Sequence, residues 1–214
     1  MNRFMAGMAL ILSMFTLSAV AAPAADPQVV VKTAVDNLTA RIVKDKQKLQ
    51  KDPAQLNALI EESIMPYVDL KGIARGVMGR YFRQASPEQF ARFTAAFKQS
   101  LIRVYANGLT AYNNQKITYL PPAPATDRYT PVGVQLQLDS GDLVTASFQM
   151  QRDDQGAWKV GNVVLDIGKS NHFNLGATYR KSFAQLMEQS GNNLDKAIAS
   201  WSPDPDILNK DKKS

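Results

Sequence analysis

Few residues in this chain are of types that do acid–base or nucleophilic chemistry. Among 214 residues there is one histidine, His172, and no cysteine. The lack of cysteine removes thiolate nucleophiles, thiolate metal ligands and disulfides together. His172 closes the polar stretch Lys169-Ser170-Asn171-His172. It has no companion motif: Gly-x-Ser-x-Gly, His-Glu-x-x-His and glycine-rich phosphate loops are missing. It therefore reads as a surface histidine in a turn. No set of His, Asp and Glu has metal-ligand spacing, so no metal or other cofactor is expected. Asp139 and Asp142, and likewise Asp153 and Asp154, sit where hairpin turns want them. Asp69 precedes a short helix, where capping explains it. Asp166 alone stands out, because it ends a strand in an otherwise apolar stretch. A curved sheet packed on helices can hold such a carboxylate as a general base. An enzyme acting on a small hydrophobic substrate is thus the alternative reading, although no second polar group is placed to assist Asp166. The primary expectation is a protein that is not an enzyme.

The elements around these residues divide into blocks. Residues 28 to 112 read as helix, 115 to 167 as strand, and the remainder as helix again, which indicates an α+β fold. A first helix after Pro27 carries Val31, Val35, Leu38 and Ile42 at helical spacing. A second starts at Pro53, with Leu56, Leu59, Ile60 and Ile64 on one face, and ends or bends at Pro66. Asp69 caps a third, with Ile73, Val77 and Tyr81. Ser86-Pro87-Glu88-Gln89 is a capping box with proline at the first helical position. The stripe Phe90, Phe93, Phe97, Leu101, Val104, Tyr105 and Leu109 follows it.

Period-two alternation places strands at Lys116 to Leu120, Val132 to Leu138 and Val144 to Met150. A fourth runs from Trp158 to Ile167, with hairpin turns at residues 139–142 and 153–156. In the fourth strand the apolar phase slips at Gly161-Asn162, which predicts a β-bulge and a bent sheet. Four antiparallel strands that are polar on one face must be covered by helices on the other. A last long helix carries Leu175, Tyr179, Phe183 and Leu186, and a short one runs from about Asn193 to Trp201.

The composition, 45% hydrophobic and 21% charged, is that of a globular chain able to bury a core. Lysine and arginine outnumber acids 25 to 19, a net charge of +6, which suits anionic surfaces or acidic partners. No run of five basic residues occurs, so nucleic-acid binding is not expected. At the N-terminus, Arg3, an apolar run from Phe4 to Val20, and Ala19-Val20-Ala21 have the form of a secretory signal peptide over residues 1–21. Residues 26–203 are expected to form the working domain, and 204–214 a polar tail.

The segment Tyr67-Val68-Asp69-Leu70-Lys71-Gly72-Ile73-Ala74-Arg75-Gly76-Val77-Met78-Gly79-Arg80-Tyr81 resembles the MlaC family, also called the toluene-tolerance family. So do Ala85-Ser86-Pro87-Glu88-Gln89-Phe90-Ala91-Arg92-Phe93, Phe97, Gly156-x-Trp158-Lys159-Val160 and Tyr179-Arg180-x-x-Phe183. Two features depart from the family pattern: Asn162, where aspartate is common, and the connection from Asp166 to Phe173. The resemblance implies an NTF2-like curved antiparallel sheet with an added helical subdomain, enclosing an apolar cavity for phospholipid acyl chains. It implies a periplasmic, monomeric carrier that shuttles phospholipid between an outer-membrane lipoprotein complex and the substrate-binding ring of an inner-membrane ABC transporter, so maintaining outer-membrane lipid asymmetry. The apolar faces then offer candidate lipid contacts. From the helices these are Val68, Leu70, Ile73, Val77, Tyr81, Phe93, Phe97, Leu101, Tyr105 and Phe183. From the strands they are Val134, Leu136, Val144, Phe148, Val163 and Leu165. Arg75, Arg80 and Lys159 are either solvated surface or contacts for membrane-complex partners.

Overall fold

A computed structural model describes residues 26–110, 112–124, 126, 129–167 and 171–202. The expected signal segment, 1–21, and the expected tail, 204–214, lie outside them. The helices form where proline, capping and apolar spacing predict. Helix α1 (Pro27–Lys51) is capped by Asp26, which accepts from Gln28 N, and buries Val31, Ala34, Leu38, Ile42 and Leu49. Helix α2 (Pro53–Ile64) is capped by Asp52. A 3-10 turn, Met65–Tyr67, absorbs Pro66. Helix α3 (Leu70–Met78) is capped by Asp69. It stops at Gly79, whose φ of 56° and ψ of −123° no helix contains. Tyr81, expected to continue α3, therefore sits in the following 3-10 turn, Gly79–Gln84. Helix α4 (Pro87–Thr110) begins with the capping box in full. Ser86 Oγ accepts from Gln89 N at 3.2 Å, and Gln89 Oε1 accepts from Ser86 N at 2.9 Å.

The strands are β1 (Ile117–Tyr119), β2 (Thr130–Gln137), β3 (Leu143–Arg152), β4 (Trp158–Ile167) and β5 (Asn171–Asn174). They form an antiparallel meander in chain order. The sequence indicates four strands; the fifth is the supposed turn carrying His172. Its backbone pairs with β4, Phe173 against Leu165 and His172 against Asp166. The bulge is where the phase slip requires it: Met150 pairs with Val160 and Gln149 with Asn162, so Gly161 is surplus to the ladder. Helix α5 (Leu175–Gln189), capped by Asn174, buries Leu175, Tyr179, Phe183 and Met187. Met187, rather than the expected Leu186, completes the buried stripe. Helix α6 (Leu194–Ala199) closes the described fold.

Three apolar cores result. The largest joins α3, α4, α5 and α6 to β4, with Phe93, Phe97 and Phe183 fully buried. A second lies between α1, α2 and α4 around Ile60 and Ile102. A third packs Val31 of α1 on Val132, Val134 and Met150 of the sheet. Among the described residues no helix is long and apolar enough to cross a membrane.

The capping residue of helix α3 also hydrogen-bonds to the sheet. Asp69 N donates to Val160 O at 3.0 Å. The Asp69 carboxylate caps the helix at Gly72 N, 2.9 Å, and accepts from Gln151 Nε2 at 2.6 Å. Gln151 reaches it across Gly161, where a Cβ would lie 2.7 Å from Gln151 Cδ. Replacing Asp69 by Ala removes a cap and a cross-link at once. Urea melts of D69A are expected to show about 1–2 kcal/mol less stability; an unchanged midpoint would show the join to be dispensable.

Candidate functional site

The pleat of β4 alternates side chains between two surfaces. Val163 and Leu165 face the helices, and Asp166 faces the opposite, polar side with Thr145 and His172. On the helix-covered side the sheet and helices do not close completely. Val160, Asn162 and Val163 of β4, Val68 and Ile73 at α3, Phe97, Leu101 and Tyr105 of α4, and Leu175, Gly176 and Tyr179 of α5 surround a crevice. Its empty space is about 380 Å³, counted out to its open mouth. The part of it enclosed by protein is only about 30 Å³, roughly the room of one water and far below the ~300–1,000 Å³ of ligand clefts. The deep cavity expected from the sequence is therefore not open in this structure. The reason is a knot of aromatic rings beside it: Phe93 lies 4.8 Å from Phe183 and 5.3 Å from Trp201, centroid to centroid, and Phe97 lies 5.4 Å from Tyr179.

Six expected contact residues line the crevice: Val68, Ile73, Phe97, Leu101, Tyr105 and Val163. Val77, Tyr81, Phe93 and Phe183 belong to the filled core behind it, and Leu70, Phe148 and Leu165 pack against that core. Val134 belongs to the core beneath α1. Leu136 and Val144 pair with each other across β2 and β3, away from the crevice. Sequence reasoning missed Val160, Asn162, Leu175, Gly176 and Tyr179 as lining residues. A signal existed for Tyr179, a hydroxyl in an otherwise apolar stripe, and for Val160, which the bulge keeps on the apolar side.

The lining carries no charged side chain. Asn162, the residue that departs from the family pattern, is fully engaged. Its Nδ2 donates to Gln149 Oε1 at 2.8 Å and to Asn174 Oδ1 at 3.1 Å, and its Oδ1 accepts from Gly176 N at 3.0 Å. It thereby ties the start of α5 to the bulge. An aspartate could only accept, and Asn174 Oδ1 is already turned toward Ala177 N. Burial pushes the Tyr105 phenol up to about 12. Burial, and then the adjacent Tyr105, push Tyr179 up as well.

Asp166 does have a partner, contrary to the sequence reading. His172 Nδ1 lies 2.5 Å from Asp166 Oδ1. A carboxylate oxygen accepts, so Nδ1 carries the proton. The pair is on the polar face of the sheet, its side chains 69% and 48% exposed. It lacks the enclosure that a general base acting on a hydrophobic substrate would need. Among the described residues no group of three or more His, Asp or Glu could hold a metal ion. Arg75 lies over the Phe82 ring at 5.2 Å, Arg80 donates to Tyr81 Oη at 2.8 Å, and Lys159 donates to Pro66 O at 2.6 Å.

A curved five-stranded sheet roofed on one face by helices, with an uncharged crevice between the layers, defines an α+β pocket protein. The family model described as MlaC protein matches residues 32–203, and the chain belongs to the MlaC family. It is 34% identical over 197 residues to a toluene tolerance protein of Pseudomonas putida, covering 91% of this chain and 87% of that one. It is 32% identical over 107 residues, half of each chain, to the intermembrane phospholipid transport system binding protein MlaC of Haemophilus influenzae. A solved structure of a phospholipid-binding protein from Ralstonia solanacearum, in complex with a phospholipid, superposes with a TM-score of 0.71 at 29% identity. It covers 89% of this chain and all of that one.

The two tyrosines give the crevice a signature in pH. Their folded pKa values lie above the ordinary 10.0. The stability they contribute is therefore full below pH 10 and is lost as pH climbs through the folded values. Urea melts between about pH 10 and pH 12 are expected to show falling stability, with phenolate absorbance appearing alongside unfolding. Tyr105→Phe and Tyr179→Phe are expected to flatten that slope.

Proposed function

We propose that this chain is a periplasmic phospholipid carrier. It moves lipid between an outer-membrane lipoprotein complex and the substrate-binding ring of an inner-membrane ABC transporter, and so maintains outer-membrane asymmetry. The observation that carries the reading is the uncharged crevice between sheet and helices, in a chain that superposes on a protein described in complex with phospholipid. The positive charge of the chain and its family membership support the same reading. The curved antiparallel sheet with helices packed on one face supports it too.

The energetics require a protein host. Each methylene left in water costs ~0.8 kcal/mol, so a lipid with on the order of 30 methylenes faces roughly 24 kcal/mol on leaving a bilayer unaided. Apolar walls remove most of that cost without covalent chemistry. They read chain volume, not head-group identity, so head-group selectivity is weak in this reading. Two acyl chains need far more room than the about 30 Å³ that the crevice encloses. Loading therefore parts α4 and α5 from β4, about the joins that Asp69 and Asn162 make at the sheet. The affinity need not exceed that of a membrane, since a shuttle must also release.

The test is direct. Protein purified from the periplasm, extracted with organic solvent and examined by lipid mass spectrometry, is expected to yield stoichiometric phospholipid. Protein that folds normally and never carries lipid would overturn the proposal. Leu101→Asp places a carboxylate in the crevice wall and is expected to reduce copurified lipid to background in native mass spectra. Full lipid occupancy in that variant would remove Leu101 from the contact surface.

A further inference from the structure

Tyr179 is 2% exposed, with its ring edge-on to Phe97. Its Oη is buried and has no hydrogen-bond partner among the described residues. Buried hydroxyls are nearly always paired, and one that is not carries its full desolvation cost. A phenylalanine would fill the same space without that cost, so the oxygen calls for a role beyond packing. Trp201 Nε1 is also unpaired, but it lies in the aromatic knot and does not border the crevice. Tyr179 does border it. Asn162, also in the wall, already uses its amide on Gln149, Asn174 and Gly176 and has little left to offer a ligand.

The chemistry of the missing partner is constrained. Tyr179 is a donor in surroundings that bury its oxygen and contain no cation, so a carboxylate or phosphate would enter at heavy electrostatic cost. A neutral acceptor fits. In a diacyl glycerolipid the neutral acceptors are the ester carbonyls, which stand at the root of each acyl chain. We propose that Tyr179 is a specificity-determining residue: its hydroxyl donates to an ester carbonyl of the bound lipid, fixes how deep the acyl chains sit, and favours ester-linked over ether-linked lipid. This rests on the carrier reading above and names the contact that orients the cargo. Tyr179→Phe keeps the ring against Phe97 and Trp201 and removes only the oxygen.

Delipidated wild type and Y179F are reloaded with a dipalmitoyl ester phosphatidylcholine or with its dihexadecyl ether analogue, of equal chain length and head group. Wild type is expected to bind the ester lipid about three- to tenfold more tightly than the ether, the range of one hydrogen bond in a buried site. Y179F is expected to lose that preference while keeping its affinity for the ether. In the infrared, the carbonyl band of ester lipid labelled with carbon-13 should move to lower frequency on binding to wild type and not on binding to Y179F. Equal affinity of wild type for both lipids, or an ester preference that survives in Y179F, overturns the inference and leaves the carrier reading standing. Wild type that takes up neither lipid overturns both. The wild-type comparison decides the matter even if Y179F does not fold.

Discussion

The structure follows from the one-sidedness of its sheet. Val132, Val134, Phe148, Met150, Val160 and Val163 all lie on one face, and that face cannot stay in water. Helix α1 covers one end of it, and α3, α4 and α5 cover the other. The roof is held by ring packing among Phe93, Phe97, Tyr179, Phe183 and Trp201, contacts that bring large buried areas with little directionality. Such a roof can shift without breaking many hydrogen bonds. Directional bonds tie α3 to the sheet at Asp69 and α5 at Asn162, while α1 is tied at its own end by Tyr119 to Asp36 and by Gln28 to Leu120 O. A layer fixed at a few points and greasy between them suits a protein that must admit and release an oily guest.

Much of this was legible in the chain. Proline and helical spacing located α1 and α2, and a capping box with proline located α4. Strict alternation located β2 and β3, and the phase slip at Gly161-Asn162 located the bulge. Asp69 was read as a cap and is one. Its second duty, accepting from Gln151, depends on a residue 82 positions away and leaves no local mark.

The less legible parts have physical reasons. Strand β5 holds one buried apolar residue, Phe173, between polar neighbours, so it has no pattern to detect. Its pairing is made by backbone groups, which every sequence carries. The crevice was misjudged for another reason. A helical stripe shows which side chains point inward, and does not show whether they meet a filled core or a gap. Phe93 and Phe97 are one turn apart on the same stripe, yet Phe97 borders the crevice and Phe93 does not. The Asp166–His172 pair was missed because it depends on β5 lying beside β4.

Gly161 is one residue more than its ladder requires. Without it Trp158, Val160, Val163 and Leu165 would still fall on one side, in unbroken alternation, and β4 would run straight beside β3. The hydrophobic pattern would survive while the bend did not, and α4 and α5 would settle flush on a flatter floor. The bend of the floor between the layers is in this sense set by arithmetic along the backbone: a count of residues in one strand against its neighbour.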